Sequence, residues 1–217
     1  ISPYTDMQVW DGSGTGQIHF SAASVHAEVL GHIVENRVVQ DGLLDALKAS
    51  GSIDLLPNAR LERLQQTEHG WSLTLADGQQ LGAGLVVAAD GANSAVRRLA
   101  GCATREWDYM HHAIVTSVRC AEPNQQTAWQ RFTDDGPLAF LPLQRDEDTH
   151  WCSIVWSATE AEAQRLMALD DRAFCQALGR AFEYRLGDVL EADPRLCIPL
   201  RQRHAKRYVQ PGLALIG

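Results

Sequence analysis

The sequence predicts a mixed α/β and α+β fold in which an α/β layer is interleaved with an antiparallel sheet. Three observations predict it. Leu85–Ala89 and Gly212–Gly217 are continuous apolar runs, the mark of parallel strands covered on both faces. From Ala113 onward, short strands of the half-buried kind are instead joined by polar turns, as in an antiparallel sheet. These textures also alternate along the chain. Residues 27–105 and 205–217 read as α/β, and residues 1–26 and 106–204 as antiparallel sheet with helices. Such weaving suits two layers built together rather than domains in series.

Each element has its own signal. Met7–Asp11 and Gln17–Phe20 read as two strands joined by Gly12-Ser13-Gly14-Thr15-Gly16. That glycine run invites a phosphate-loop reading, but a phosphate loop must open a helix, and Gln17-Ile18-His19-Phe20 alternates like a strand. A hairpin connection is expected instead. Val34–Leu47 is helical, with Val34, Val38, Leu43, Leu44 and Leu47 near i, i+4 spacing and Ser50-Gly51 as the stop. Strands are expected at Ile53–Leu56, Ala59–Gln65, Trp71–Leu75 and Gln80–Gly82, with a tight Asp77-Gly78 turn before the last. After Leu85–Ala89, Ser94 is placed to cap a helix over Ala95–Ala100. The second half predicts strands at Ala113–Cys120, Thr127–Phe132, Leu138–Leu143 and Trp151–Ser157. Helices follow at Glu160–Leu169, capped by Thr159, and at Arg172–Leu186, capped by Asp170 or Asp171. Arg195–Arg203 reads as a further strand.

Composition narrows the function. The net charge of −8 argues against nucleic acid, whose phosphates reward clustered Lys and Arg. No apolar run approaches the ~20 residues of a membrane-spanning helix. Five cysteines are widely spaced without a C-x-x-C pair, so a zinc cage is not expected, and they read as buried thiols of a reducing, cytoplasmic protein. The eight histidines show no metal spacing, and His111-His112 reads as one ring to each side of a strand entry. No metal is expected. The first residue is Ile1, which predicts that the natural start lies upstream.

The sharpest chemical signal is Val86-Val87-Ala88-Ala89-Asp90-Gly91-Ala92-Asn93-Ser94-Ala95-Val96-Arg97-Arg98. A buried strand places Asp90 at its carboxyl end, where open α/β sheets bind ligands. Gly91 lets the backbone approach a bulky partner closely. Read physically, Asp90-Gly91 is either such a ligand turn or only a turn, and Ser94 only a cap.

This stretch resembles the second flavin motif, G/A-A-D-G-x-x-S-x-V-R, of the p-hydroxybenzoate hydroxylase-like FAD-dependent monooxygenases. Gly31-His32-Ile33-Val34-Glu35-Asn36 is similar to the ubiquinone-biosynthesis hydroxylases within that family. So are Trp107-Asp108-Tyr109-Met110-His111-His112-Ala113, Phe140-Leu141-Pro142-Leu143 and Ser153-Ile154-Val155-Trp156-Ser157. Leu213-Ala214-Leu215-Ile216-Gly217 resembles the strand that opens the family's third motif. The resemblance implies a partial FAD-binding domain of the glutathione-reductase-like kind (27–105 and 205–217) and a substrate-binding antiparallel sheet (1–26 and 106–204). It also implies that this is the inner portion of such an enzyme.

Carried onto this chain, the resemblance assigns Asp90 and Gly91 to FAD and, in relatives, to the reduced nicotinamide. Gln40 falls where many relatives carry an Arg facing the flavin phosphates, and Arg37 is one helical turn earlier. Phe140, Pro142 and Trp156 are the expected lining of the substrate cavity. No catalytic side chain is expected, because FAD with O2 and NAD(P)H carries the chemistry and the protein supplies orientation and water exclusion. The implied substrate is a small aromatic ring carrying a prenyl chain. Peripheral association with a membrane or a biosynthetic complex is a further expectation. Two other readings stay open: a non-catalytic quinone- or lipid-binding module, and another flavoenzyme such as a halogenase or a prenyl reductase. The chain lacks the W-x-W-x-I-P signature of a halogenase.

Overall fold

The computed structural model describes residues 1–217. In chain order the strands and helices are β1 (Ser2–Tyr4), β2 (Asp6–Asp11), β3 (Gln17–Ser21), β4 (Gly31–Ile33) and α1 (Asn36–Ser50). Next come β5 (Leu61–Thr67), β6 (Gly70–Leu75), β7 (Gln80–Ala83), β8 (Val86–Ala88) and α2 (Ala95–Leu99). Strands β9 (Thr104–Cys120), β10 (Thr127–Thr133), β11 (Gly136–Pro142) and β12 (Trp151–Thr159) then lead to α3 (Glu160–Met167) and α4 (Asp171–Ala181). The chain closes with β13 (Val189–Ala192), β14 (Leu196–Ala205), β15 (Val209–Gln210) and β16 (Leu213–Leu215).

These elements form two compact units, Ile1–Asp45 with Tyr109–Leu200 and Ala46–Asp108 with Arg201–Gly217. The boundaries fall inside α1, β9 and β14. Relative to the sequence reading, residues 27–45 group with the antiparallel unit rather than the α/β one.

The first unit is organised on the order β13-β9-β12-β11-β10-β2-β3. Strands β9 to β12 are antiparallel neighbours, with Ile114 opposite Trp156 and Phe140 opposite Ile154. Strand β2 joins β10 in parallel and closes the expected hairpin with β3, Met7 facing Phe20. The glycine run is that hairpin's loop, tied by Asp11 N donating to Gly16 O at 2.9 Å and Ser13 N to Asp11 Oδ1 at 3.0 Å. It opens no helix.

Strand alternation puts Ile114, Val118, Leu138, Phe140, Ile154 and Trp156 on one face of this sheet, where α3 and α4 cover them with Leu166, Phe174, Leu178 and Phe182. Phe140 stacks on Phe182 with centroids 3.6 Å apart. The caps are those expected: Thr159 Oγ1 accepts from Glu162 N, and Asp170 Oδ1 accepts from Ala173 N at 2.7 Å. Helix α4 ends at Ala181, short of the expected Leu186, because Glu183 and Tyr184 take positive φ of 56° and 53°. A right-handed helix cannot pass through that geometry.

The second unit holds two small sheets, β5-β6-β7 and β15-β16-β8. The Asp-Gly turn is as expected, with Gly78 at φ +89° and Gln79 N donating to Asp77 Oδ1 at 2.9 Å. Strands β8 and β16 are parallel, pairing Val86 with Leu213 and Ala88 with Leu215. Those four residues pack with Leu64, Trp71, Cys102 and Ala205. Trp71 Nε1 donates to Pro211 O at 3.0 Å and fixes the turn into β16.

Two expectations need correction here. Ile53–Leu56 forms no strand, and its apolar side chains stand exposed. The β8 segment is covered on one face only: Val86 and Ala88 are buried, but Val87 is 51% exposed and Leu85 62%. Continuity of the apolar run could not tell one covered face from two. In α1, likewise, Val38, Val39, Leu43, Leu44 and Leu47 are all exposed, so its apolar stripe finds no cover within this chain.

Candidate functional site

The turn after β8 is built by Asp90. Its Oδ1 accepts from Ser94 Oγ at 2.5 Å, and its Oδ2 accepts from the amides of Ala95 (2.7 Å) and Val96 (3.1 Å) at the start of α2. Ser94 Oγ in turn accepts from Arg97 N at 2.9 Å. Partial burial pushes the Asp90 carboxyl up, but its hydrogen bonds outweigh this and hold it below the usual carboxylate range. The carboxylate is therefore spent on shaping the turn. It organises residues 90–96 beside Ser94, which caps α2.

Gly91 sits at φ +76°, a left-handed conformation that favours glycine, and a Cβ there would meet no atom within 4 Å. Its amide donates to Gly217 O at 3.0 Å, so the ends of β8 and β16 are joined. Beside this junction lies a cavity of about 490 Å³. Gly91, Gly217, Arg97, Arg201, Arg203 and Tyr208 border it. Arg201 Nε pairs with Asp108 at 3.0 Å, Arg203 pairs with Glu106, and Tyr208 Oη contacts His204 Nδ1 at 3.0 Å. Open space at a glycine turn, next to guanidinium groups, suits a large anionic cofactor whose phosphates need close backbone approach and positive charge.

Of the sequence-derived residues, Asp90 and Gly91 are at this cavity's turn. Gln40 and Arg37 belong to the other unit. Gln40 is exposed on α1, and Arg37 is occupied by Glu35, with Nη2 to Oε2 at 2.8 Å. Phe140, Pro142 and Trp156 lie on the helix-covered face of the large sheet, where Phe140 and Trp156 are core residues. Trp156 borders a cavity of about 260 Å³ with Glu162, Arg165 and Arg180 on the helix side, and the pleat turns all three residues away from the sheet's opposite face, against the expectation of a shared substrate cavity. The other face carries Val115, Ser117, Ala139, Leu141, Ser153 and Val155, all half-buried and paired across β9, β12 and β11. No cluster of three or more His, Cys, Asp or Glu side chains is assembled for a metal, and no helix is long and apolar enough to cross a membrane.

Sequence reasoning missed Arg201, Arg203 and Glu106. The available signal was Arg201-Gln202-Arg203 within a strand, since residues two apart share a face. Arg203 reaches Ala92 O and Asn93 Oδ1, and nothing local linked its strand to those residues, more than a hundred positions away.

Comparison with known proteins places this geometry. A family model described as "FAD binding domain" matches residues 23–217. The chain is 37% identical over 215 residues to the 3-demethoxyubiquinol 3-hydroxylase of Escherichia coli, covering 99% of this chain and 54% of that protein. It is 35% identical to the ubiquinone hydroxylase UbiL of Rhodospirillum rubrum, covering 99% of this chain and 49% of that one. It thus spans about half the length of the curated relatives it matches. Among solved structures it is similar to PqsL, a probable FAD-dependent monooxygenase of Pseudomonas aeruginosa, at a TM-score of 0.79 and 22% identity, over 98% of this chain and 60% of that one. At that identity the likeness speaks for the fold. The chain belongs to the FAD binding domain family.

Proposed function

We propose that this chain is part of a flavin-dependent aromatic hydroxylase that uses O2 and NAD(P)H on a prenylated phenol of ubiquinone biosynthesis, in the cytoplasm. The observation that carries the reading is the cavity at the Asp90–Gly91 turn, within a segment matched from residue 23 to 217 by an FAD-binding family. The names of the relatives, hydroxylases of ubiquinone precursors, supply the substrate class.

Gly91, Gly217 and Arg97 are the residues that would border FAD. When bound, FAD supplies the oxygen-transfer and hydride-accepting chemistry. The chain's own contribution is positional. Asp90 fixes the turn and Arg97 offsets phosphate charge; within the other unit, the half-buried face around Val115, Leu141 and Val155 is a mostly apolar surface for an aromatic ring. Because Leu85, Val87, Ile216 and the apolar stripe of α1 are uncovered, the isolated chain is proposed to bind FAD weakly or not at all and to self-associate through these surfaces.

The test is to purify the full-length protein and assay NAD(P)H oxidation, with and without a short-chain prenylphenol, following the product by mass. Stoichiometric FAD, substrate-stimulated oxidation and addition of one oxygen atom are expected. A folded full-length protein free of flavin would favour the non-catalytic quinone-binding module. Halide incorporation, or loss of a double bond from the prenyl chain, would favour the halogenase or reductase reading.

A further inference from the structure

We propose that Arg203 is a positioning residue for the cofactor. Through Ala92 and Asn93 it sets the Gly91 turn, while Glu106 holds its guanidinium in place. This rests on the flavin reading above.

The Gly91–Asn93 turn is poor in packing. Ala92 and Asn93 are exposed, and a Cβ at Gly91 would touch nothing, so no buried apolar side chain anchors it. Polar contacts must hold it instead. Asp90 secures its helix side and Gly217 O takes the Gly91 amide. What remains is the Ala92 carbonyl, and two guanidiniums converge on it. Arg97 Nη1 donates to it at 2.9 Å from within α2, and Arg203 Nη1 donates to it from β14.

Arg203 makes three further contacts. Nη1 also reaches Asn93 Oδ1 at 2.9 Å, Nη2 donates to Glu106 Oε2 at 3.1 Å, and Nε lies 2.8 Å from Glu106 Oε1. Nε faces that carboxylate as an ion pair but has no hydrogen-bond partner, so the hydrogen bond to Glu106 comes from Nη2. Arg203 is also well shielded, its side chain being 24% exposed. With both Nη atoms committed to the turn and to Glu106, its influence on a ligand runs chiefly through the backbone it grips. A lysine would keep the charge but could not span Ala92 O, Asn93 Oδ1 and Glu106 Oε2 at once.

The experiment uses full-length holoenzyme and its Arg203→Gln, Arg203→Lys and Glu106→Gln variants, with FAD affinity measured by titration of the apoprotein and folding checked by circular dichroism. Arg203→Gln and Arg203→Lys are each expected to weaken FAD binding about tenfold or more, and Glu106→Gln about threefold, as misplacement of a binding element does. At saturating FAD the visible bands of the bound flavin should shift in both Arg203 variants, which a mere loss of stability would not produce. Wild-type affinity in Arg203→Lys, or bands superimposable on wild type, overturns the proposal and makes the residue a simple source of charge. If Arg203→Gln does not fold, Glu106→Gln and Asn93→Ala carry the test, and wild-type FAD affinity in both overturns it. A wild-type full-length protein that holds no FAD overturns the flavin reading and this inference with it. Bound FAD with unaffected variants overturns this inference alone.

Discussion

The two units of this chain are held together by different physics. In the antiparallel unit, aromatic and aliphatic side chains from β9 to β12 interlock with α3 and α4, and Phe140, Phe182, Leu138 and Ile154 are essentially inaccessible. In the unit built from Ala46–Asp108 and Arg201–Gly217 the core is smaller, centred on Trp71, Val86 and Leu213, and the candidate site rests on carboxylate, hydroxyl and guanidinium contacts. One unit should answer to changes of volume and the other to changes of charge and hydrogen bonding. The site has been placed where the backbone can be steered by polar groups, and the scaffold where it need not be.

The largest expected effect tests the volume side. Phe140→Ala removes a ring stacked in a sealed core and should cost about 3–5 kcal/mol, read by denaturant unfolding. A loss under about 1 kcal/mol would mean that the core collapses around the cavity and would blur the contrast. In the smaller unit, Trp71→Phe strands the Pro211 carbonyl and should cost about 1–3 kcal/mol.

Asp90→Ala removes its hydrogen bonds from Ser94, Ala95 and Val96 and should cost about 1–3 kcal/mol. Its pH dependence sharpens the point. The folded carboxyl titrates below its unfolded value of 3.8, so its stabilising contribution is present above that pH and disappears as pH falls through the lower folded value. Asp90→Asn should therefore flatten that part of the acid-unfolding curve below about pH 4 and leave neutral pH behaviour parallel to wild type, as equilibrium melts across pH would reveal. The smallest effect is expected at Arg165, whose pair with Glu162 one turn away on α3 is exposed. Arg165→Ala should cost about 0.3–0.5 kcal/mol.

A different measurement addresses the uncovered apolar surface. The isolated chain is expected to elute as a species larger than a monomer on size exclusion, and Val87→Glu should shift it toward monomer. A monomeric wild-type chain would show that Val87 and α1 tolerate water without a partner.

Much of the fold was legible because its signals are local. The Asp77-Gly78 turn, the Thr159 and Asp170 caps and the β2–β3 hairpin each depend on a few neighbouring residues, and each is present. The Asp90 turn was legible too, as a long motif. What could not be read was direction and distance. Periodicity identifies the strand holding Phe140 and Trp156 but not which face the helices will cover. No local pattern tells that Arg203 will reach Ala92 and Asn93 from a strand far along the chain. Ile53–Leu56 failed for the opposite reason: it has strand-like residues but no neighbouring strand with which to pair.

The parallel pairing of β8 with β16 has a consequence for how the molecule is made. During synthesis Val86–Ala88 emerges long before Leu213–Leu215, and all of Tyr109–Leu200 must be translated between them. At roughly 5–20 residues per second that is an interval of roughly 5–20 seconds, during which the antiparallel unit can fold while β8 has no partner. The turn that carries Asp90 and Gly91 thus waits for β16 before the Gly91 amide finds the Gly217 carbonyl. A pause in translation within β14 would prolong the time that Leu85 and Val87 stand open to chaperones or to other nascent chains.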